Sequence, residues 1–320
     1  MKATAAPTNN GIKGIEDAFS AAKQRGRATL IPYICCGYDS PKKTVDILLA
    51  MQIGGADIIE LGVPCSEPFA DGDTNKESHK IAINNGTTGM RDCLRILETA
   101  SLVEEYNFDV DNMCQDAAMS GANGFLMVGI EEGKQELDFN SICCKNNMSS
   151  IQLVRPGSSD RRIADLAGMA SSFLYVVSSK GKTGARNALP KDLDDAVARV
   201  RAKTDLPLVV GFGISNPEMV KRVSNLSDGA VVGSFLTDCI MKNEGKVRDE
   251  DVILQKIAHL HRGTIQDIGA KNQASKLSQV PLHVKINSYI NKSSMLRVRR
   301  CSSQLFRLAT IHETVNARAA

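Results

Sequence analysis

The sequence predicts an α/β protein, a TIM (β/α)8 barrel that is weak or incomplete at its third strand and carries a basic C-terminal extension. Three observations lead to this prediction. Short apolar runs alternate with amphipathic stretches over the first 245 residues, which is typical of βα units around a parallel sheet. Seven such runs fit a barrel, whose usual length is about 250 residues. Basic residues are concentrated near the C-terminus.

The strand predictions rest on short runs of Ile, Val and Leu with little polar alternation, the pattern of strands buried on both faces. The predicted strands are 28–34, 57–61, 124–128, 150–154, 173–177, 206–211 and 229–232. The helix predictions include 15–25, 42–53, 91–104, 112–119, 163–169, 193–202, 217–224 and 252–261.

The third strand is the weak point of this pattern. Only about seven residues separate the helix that ends near Glu104 from the one that starts near Asn112. Tyr106, Phe108 and Val110 alternate with polar residues, so a short strand over 106–110 is one alternative and a gap in the barrel wall is the other. A gap would leave exposed strand edges, because a closed barrel needs a consistent strand number and shear.

The chain is predicted to have three parts: an N-terminal tail (1–11), the barrel (12–265) and an extension (266–320). Residues 270–320 hold nine Lys and Arg and a single acid, Glu313, whereas the rest of the chain has a net charge of −5. Apart from one strand candidate at 280–286, the extension has no sustained hydrophobic period, which predicts disorder or a poorly packed appendage. Binding of nucleic acid or an anionic surface by this segment is disfavoured, because no recognisable module accompanies the charge.

Composition excludes several classes of protein. No apolar run approaches the roughly 18 residues of a membrane span, and the first ten residues lack the apolar segment of a signal peptide. The nine cysteines are odd in number and form no C-x-x-C pair, so we expect reduced thiols. His259 and His261 are two residues apart and would face apart on a helix, and no zinc spacing is present. We therefore expect a soluble cytoplasmic protein without a metal site.

Two acidic residues stand where a barrel would hold catalytic groups. Glu60 lies at the end of the apolar run 57–61, and the carboxyl ends of barrel strands form the catalytic face. Burial there would raise its pKa toward neutrality and suit it to acid–base catalysis. Asp71 follows eleven residues later, and a second carboxylate in a different environment can stabilise charge while the first moves a proton. The alternative is that Glu60 caps the next element and Asp71 makes a surface turn.

Glycine-rich turns follow the last two predicted strands. Gly211 and Gly213 precede a helix that Asn216-Pro217 would start, and Gly233-Ser234 follows the final strand. Backbone N–H groups at such turns can bind a phosphate at a helix N-terminus, although ordinary tight βα turns have the same composition. A dinucleotide fold is disfavoured, because Asn216 stands where its last glycine should be.

A loop of Ser, Lys, Gly and Thr, residues 178–185, follows the strand predicted at 173–177. Such a loop can close over a bound anion, and a solvated surface loop is the alternative. Gly181-Lys182-Thr183 is similar to the end of a P-loop, but Val176 stands where the first glycine of that motif should be. The P-loop interpretation therefore fails.

Taken together, these segments resemble the tryptophan synthase alpha subunit family, in order and at nearly the family spacing, from about Ile12 to about Gly245. The matching segments are 29–33, 37–38, 57–72, 121–125, 175–178, 183–186, 211–215 and 232–234. The most specific is Glu60-Leu-Gly-Val-Pro64. The Ala-Asn-Gly-Phe and Val-Val-Ser stretches are similar to the alpha region of the fungal bifunctional enzyme.

This resemblance implies a lyase that cleaves indole-3-glycerol phosphate to indole and glyceraldehyde 3-phosphate in tryptophan biosynthesis. The reaction is a retro-aldol cleavage without a cofactor, and pyridoxal phosphate would belong only to a beta partner. Glu60 matches the acid/base and Asp71 the carboxylate that binds the indole N–H and stabilises a cationic intermediate. The other matches are Gly184, Gly213, Gly233 and Ser234 for the phosphate, Thr183 for the lid, and Tyr175 and Phe212 for the indole pocket.

The sequence also departs from the family pattern. The segment that carries the third strand in the family is essentially deleted here. Cys65 and Glu67 change the loop that faces the beta subunit, Cys35-Cys36 replaces a Thr-Ala pair, and residues 128–132 lose an acid and two prolines. An alternative function is therefore a catalytically impaired relative that acts as a sugar-phosphate-binding or protein-interaction barrel.

Overall fold

The computed structural model describes residues 11–98, 110–130, 132–178, 184, 188–243, 245–266 and 306–312. It confirms the predicted α/β barrel. Eight parallel strands form a closed barrel in the order β1-β2-β8-β3-β4-β5-β6-β7. The strands are β1 Thr29–Cys35, β2 Ile58–Gly62, β3 Gly124–Val128, β4 Ser149–Val154, β5 Leu174–Val177, β6 Leu208–Gly211, β7 Gly229–Val232 and β8 Phe306–His312. The first seven lie within two residues of the predicted bounds.

Helices surround the barrel. They are α1 Gly11–Gln24, α2 Pro41–Gly54, α3 Asp73–Asn84, α4 Met90–Glu98, α5 Val110–Met119, α6 Lys134–Lys145, α7 Asp160–Met169, α8 Leu193–Arg201, α9 Pro217–Leu226, α10 Ser234–Met241 and α11 Asp249–His261. The eight predicted helices are confirmed where their residues are described. Helices α3, α6 and α10 have no counterpart among those predictions. None of the helices in the described ranges is long and apolar enough to cross a membrane.

Local capping signals fix several helix ends. Ser40 accepts a hydrogen bond from the Lys43 N–H before Pro41 opens α2, and Asn216 does the same for Met219 before Pro217 opens α9. These side chains satisfy backbone donors that the first helical turn leaves without partners. The Asn216-Pro217 start predicted from the sequence is thereby confirmed.

Two apolar clusters hold the fold together. One fills the inside of the barrel with side chains such as Ile31, Ile58, Phe173 and Val209. The other lies between the outer faces of the strands and the surrounding helices. The strands are buried on both faces, as their continuous apolar sequences predict. The eight cysteines in the described ranges are free thiols, and most are buried.

The C-terminal strand differs from the sequence prediction. The segment 266–320 was assigned to a disordered extension outside the barrel, but Phe306–His312 lies in the sheet between β2 and β3. Its backbone pairs with all five residues of β2 and all five of β3. The physical reason is the gap left by the shortened third βα unit, whose two open edges offer backbone partners on both sides.

Two other strand predictions fall largely outside the described residues. Val110 begins α5 rather than ending a strand, and 106–109 lies outside the described ranges. The candidate at 280–286 lies outside them as well. No described strand therefore lies between β2 and β3 along the chain, and the sheet position between them is occupied by β8.

A buried ion pair joins the amino ends of the first two strands. The Arg27 guanidinium donates two hydrogen bonds to the Asp57 carboxylate, at 2.6 Å and 2.5 Å, and both side chains are largely buried. The Leu30 N–H also donates to this carboxylate at 2.9 Å. Removing one partner of such a pair leaves an uncompensated buried charge.

We expect Asp57→Ala to lower the free energy of unfolding by about 3 kcal/mol, because it leaves the buried Arg27 guanidinium without its carboxylate partner. Denaturant unfolding measures this change. The matched control is Asp17→Ala, which removes the exposed Lys13–Asp17 pair and should leave the midpoint nearly unchanged. Equal destabilisation by both substitutions would contradict the argument from burial.

Candidate active site

The candidate site is centred on Glu60, which lies in the middle of β2 and is 6% exposed. Its neighbour in register on β1 is Tyr33, which is also buried. Gly62 and Gly233 lie against the Tyr33 side chain, and a methyl group added at Gly62 would collide with the Tyr33 hydroxyl. Glycine at these strand ends therefore lets the tyrosine ring lie across the mouth of the barrel.

Asp71 is held beside this region by the helix that follows it. It is 3% exposed, and its Oδ1 accepts a hydrogen bond of 3.0 Å from the Asn75 amide. The His79 Nε2 atom lies 3.5 Å from Asp71 Oδ2 and 3.3 Å from the Tyr33 hydroxyl. His79 is fully buried and thus connects the second carboxylate with the tyrosine on β1.

The second ring nitrogen of His79 defines its tautomer. The Cys65 backbone N–H donates to Nδ1 at 3.1 Å, so Nδ1 is an acceptor. In the neutral ring the proton then lies on Nε2, which faces Asp71 and Tyr33. The same contact fixes the loop after β2, because Cys65 belongs to that loop and His79 to α3.

Tyr175 and Phe212 form the opposite wall. Their rings pack edge to face with centroids 6.1 Å apart, and the Tyr175 hydroxyl lies against Gly211, where a methyl group would collide with it. Phe212 has φ +77°, an unfavourable value for a residue with a side chain. Its carbonyl accepts a hydrogen bond of 2.6 Å from the Ser178 hydroxyl, which helps to hold this conformation.

Two turns lie next to these aromatic residues, where the sequence predicts a phosphate site. Gly213 follows Phe212 with φ +88°. Gly233 is the N-cap of α10, and Ser234 is its first residue and is 8% exposed. No side chain caps this described helix end, and backbone N–H groups together with the positive end of a helix dipole favour an anion at such a position.

The pKa values of Tyr33 and Tyr175 are raised by burial and by the nearby carboxylates. Burial raises the pKa of Tyr175 well above its usual range, and the charges of Glu60 and Asp71 raise it further. Burial also raises the pKa of Tyr33 well above that range, with added effects of Cys35 and of the same two carboxylates. The structure therefore brings Glu60, Asp71, Tyr33 and Tyr175 into one low-dielectric chamber, with both phenols protonated at neutral pH.

The lid is the part of the predicted site that the structure does not describe. Thr183 lies outside the described residues, and Gly184 is described without its immediate neighbours.

The thiols near the chamber are protonated, because burial raises the pKa of Cys65 to about 11 and that of Cys35 well above its usual value. Within the described ranges, no three His, Cys, Asp or Glu side chains are grouped to hold a metal ion.

Sequence reasoning did not identify Tyr33, Asn75 and His79 as parts of the site. Asn75, Ser78, His79 and Ala82 are the buried residues of α3, and their spacing is that of one helix face. That face is polar, so a search for apolar periodicity does not find it. A search for polar residues at helical spacing after Asp71 would have found it.

The arrangement combines two kinds of chemistry in one chamber. Two buried carboxylates from different elements can handle a proton and a developing positive charge. Aromatic walls can hold a flat apolar group, and the turns at β6 and β7 can hold an anion. These groups are of the kinds that bind a substrate with an aromatic end and an anionic end.

Comparison with known proteins agrees with this geometry. A family model described as "Tryptophan synthase alpha chain" matches residues 19–266. Tryptophan synthase of Saccharomyces cerevisiae is 38% identical over 250 residues, which are 73% of this chain and 35% of the yeast protein. The chain thus spans about a third of that relative. The tryptophan synthase alpha chain of Chloroflexus aggregans is 34% identical over 237 residues, 70% of this chain and 88% of the relative.

Solved structures give the same result. Tryptophan synthase of Mycobacterium tuberculosis superposes with a TM-score of 0.69 at 27% identity, covering 78% of this chain and 98% of the matched chain. Tryptophan synthase subunit alpha of Legionella pneumophila gives 0.69 at 25% identity with the same coverage. Because the family model spans most of the barrel and its relatives exceed 30% identity, this chain belongs to the tryptophan synthase alpha chain family.

Proposed function

We propose that this chain cleaves indole-3-glycerol phosphate to indole and glyceraldehyde 3-phosphate, as a lyase of tryptophan biosynthesis. The observation that carries the proposal is the joint burial of Glu60 and Asp71 in one chamber that also holds two tyrosines. The family assignment supports the reaction class. The reaction needs no cofactor of this chain.

Glu60 is proposed as the acid and base of the retro-aldol step. It gives a proton to C3 of the indole ring, which leaves a cationic indolenine. It then accepts the proton of the adjacent side-chain hydroxyl as the C–C bond breaks. The bonding electrons return to the ring, so indole and the aldehyde leave and Glu60 ends in its starting state. A buried carboxyl is suited to both proton transfers.

Asp71 is proposed to accept a hydrogen bond from the indole N–H and to stabilise the positive charge of the indolenine. The Asn75 amide donates a hydrogen bond to Asp71 Oδ1, and the His79 Nε2 atom lies 3.5 Å from Asp71 Oδ2, and donors at these positions favour the carboxylate form. His79 is therefore a positioning residue, acting through Asp71 and Tyr33. Tyr175 and Phe212 are proposed to enclose the ring.

The phosphate of the substrate is proposed to bind between the turn at Gly213 and the N-terminus of α10 at Gly233 and Ser234. Backbone N–H groups and the helix dipole favour a doubly charged anion there. Gly184 and the lid residue Thr183 are proposed to close over it.

A tryptophan synthase beta subunit or domain is the proposed protein partner, and it would carry the pyridoxal phosphate. Phe69, in the loop after β2, is 51% exposed and offers an apolar contact at the mouth. The relatives named tryptophan synthase support this pairing. We infer a cytoplasmic location from the enzyme family.

The second candidate is an impaired relative that binds a sugar phosphate without cleaving it. The observation that favours this function is the unusual barrel wall, in which β8 stands between β2 and β3. The two functions separate in one assay, because both bind the substrate and only the lyase releases indole.

Indole release should depend on both carboxylates. We expect Glu60→Gln to lower kcat/KM about 1000-fold, since it removes the proton donor and acceptor, and Asp71→Asn to lower it about 100-fold. The assay follows indole formation by the purified chain with and without a beta subunit. Asp17→Asn, at an exposed acid of α1, is the control. A folded wild-type chain that binds indole-3-glycerol phosphate and forms no indole would favour the second candidate.

His79 should affect the rate through orientation. We expect His79→Ala to lower kcat about tenfold, because a loosened Asp71 loses part of its stabilisation of the intermediate. His79→Asn should restore most of the rate, since an amide can accept from Cys65 and donate to Asp71. The pH profile of kcat/KM should keep its shape in both variants. Loss of one limb of the profile would instead identify His79 as an acid or base.

A negative charge at the start of α10 should repel the phosphate. We expect Ser234→Asp to raise KM at least about tenfold while leaving the thermal midpoint equal or higher, because an acid at a helix N-terminus stabilises the helix. Ser234→Asn, nearly equal in size to the aspartate and uncharged, is the control. Equal KM values for the two variants would argue against phosphate binding at this helix end.

A further inference from the structure

The strand order contains one exception to sequence order. All other neighbouring strands are consecutive along the chain or close the barrel between β7 and β1, whereas β8 lies between β2 and β3. The β8 backbone pairs with Ile58–Gly62 on one side and Gly124–Val128 on the other. Both neighbours are thus paired over their full length by a segment that begins 178 residues after β3 ends.

The geometry of the chain permits this insertion. Residue 266 lies at the amino end of the barrel, since the Gln266 N–H donates to the Gly26 carbonyl and Ile265 forms a bridge with Arg27. β8 also starts at that end, because Phe306 pairs with Ile58, the first residue of β2. The two points are about two strand spacings apart, or roughly 10 Å. Residues 267–305 are more than long enough to join them without crossing the barrel.

The sequence of β8 is suited to a central position. Phe-Arg-Leu-Ala-Thr-Ile-His contains neither Gly nor Pro and is rich in residues that favour strands. Parallel sheets are normally covered on both faces and tolerate open edges poorly. Without β8, β2 and β3 would either present two open edges or close into a seven-stranded barrel of different shear.

This position is directly linked to the catalytic residue. Glu60 is the central residue of β2, and its backbone is in register with Tyr33 on one side and Leu308 on the other. The direction of the Glu60 side chain therefore depends on a strand that is held on both edges.

We propose that β8 is an intramolecular substitute for a missing third strand and that it positions Glu60 by completing the backbone ladder of β2. The C-terminal segment is thus a component of the catalytic barrel. The effect on catalysis rests on the proposed function, whereas the structural role does not.

Hydrogen exchange on the full chain tests the structural role directly. We expect the amides of 307–312 to exchange at least about 100-fold more slowly than the same amides in a short synthetic peptide, at rates similar to β2 and β3. Exchange of 307–312 at the rate of an unstructured peptide, with β2 and β3 protected, would overturn the proposal. Protection found only in a dimer by size-exclusion chromatography would also overturn it, since the strand would then come from a second copy.

A proline pair tests the link to catalysis. Ala309 pairs with Leu61 and Phe125 at the centre of β8, so Ala309→Pro removes a ladder N–H between two strands. Ala319→Pro, beyond the described residues, is the matched control. We expect Ala309→Pro to lose protection in 307–312, to lower the thermal midpoint and to reduce indole formation at least about tenfold, and the control to match wild type.

Addition of a synthetic peptide of residues 304–314 to Ala309→Pro should restore part of the thermal midpoint and of the activity, because the slot between β2 and β3 is then available to it. Equal behaviour of the two proline variants would overturn the proposal. If wild type forms no indole, the proposed function fails, while the exchange and thermal results still decide the role of β8.

Discussion

Closure of the parallel barrel between β2 and β3 is the constraint on which the rest of the structure depends. Every strand of a closed barrel needs a hydrogen-bonded neighbour on each side, and the distance around the ring fixes where each strand end points. The shortened third unit would break this ring, and the backbone of Phe306–His312 completes it. The position of Glu60 on β2 follows from that closure.

The seven consecutive strands could be predicted from the sequence because their signal is local. Runs such as Leu208–Gly211 and Gly229–Val232 are apolar and are bounded by turn residues. The eighth strand could not be found in this way. Phe306–His312 is short, lies within a basic polar segment and becomes a strand only because two distant edges need a partner. Tertiary context decides such a segment, and local propensity does not.

The candidate site shows the same division. Glu60, Asp71 and the glycines of the β6 and β7 turns are candidates from the sequence alone, because they stand in specific motifs within or just after apolar runs. His79 is not such a candidate, because its significance comes from contacts with Cys65, Tyr33 and Asp71 that no spacing encodes. Gly62 and Gly211 are important because they have no side chain. The ring of a tyrosine from the neighbouring strand lies where a Cβ atom would be.

The pairing of Ile58 with Phe306 joins residues 248 positions apart in the chain. Such a contact raises the contact order of the fold and slows the step that forms it. During synthesis β1 and β2 leave the ribosome long before β8, so the barrel wall stays open until β8 has been synthesised. A chain that ends between β3 and Phe306 would therefore lack the strand that covers the edges of both β2 and β3, and open strand edges favour aggregation and removal by proteases.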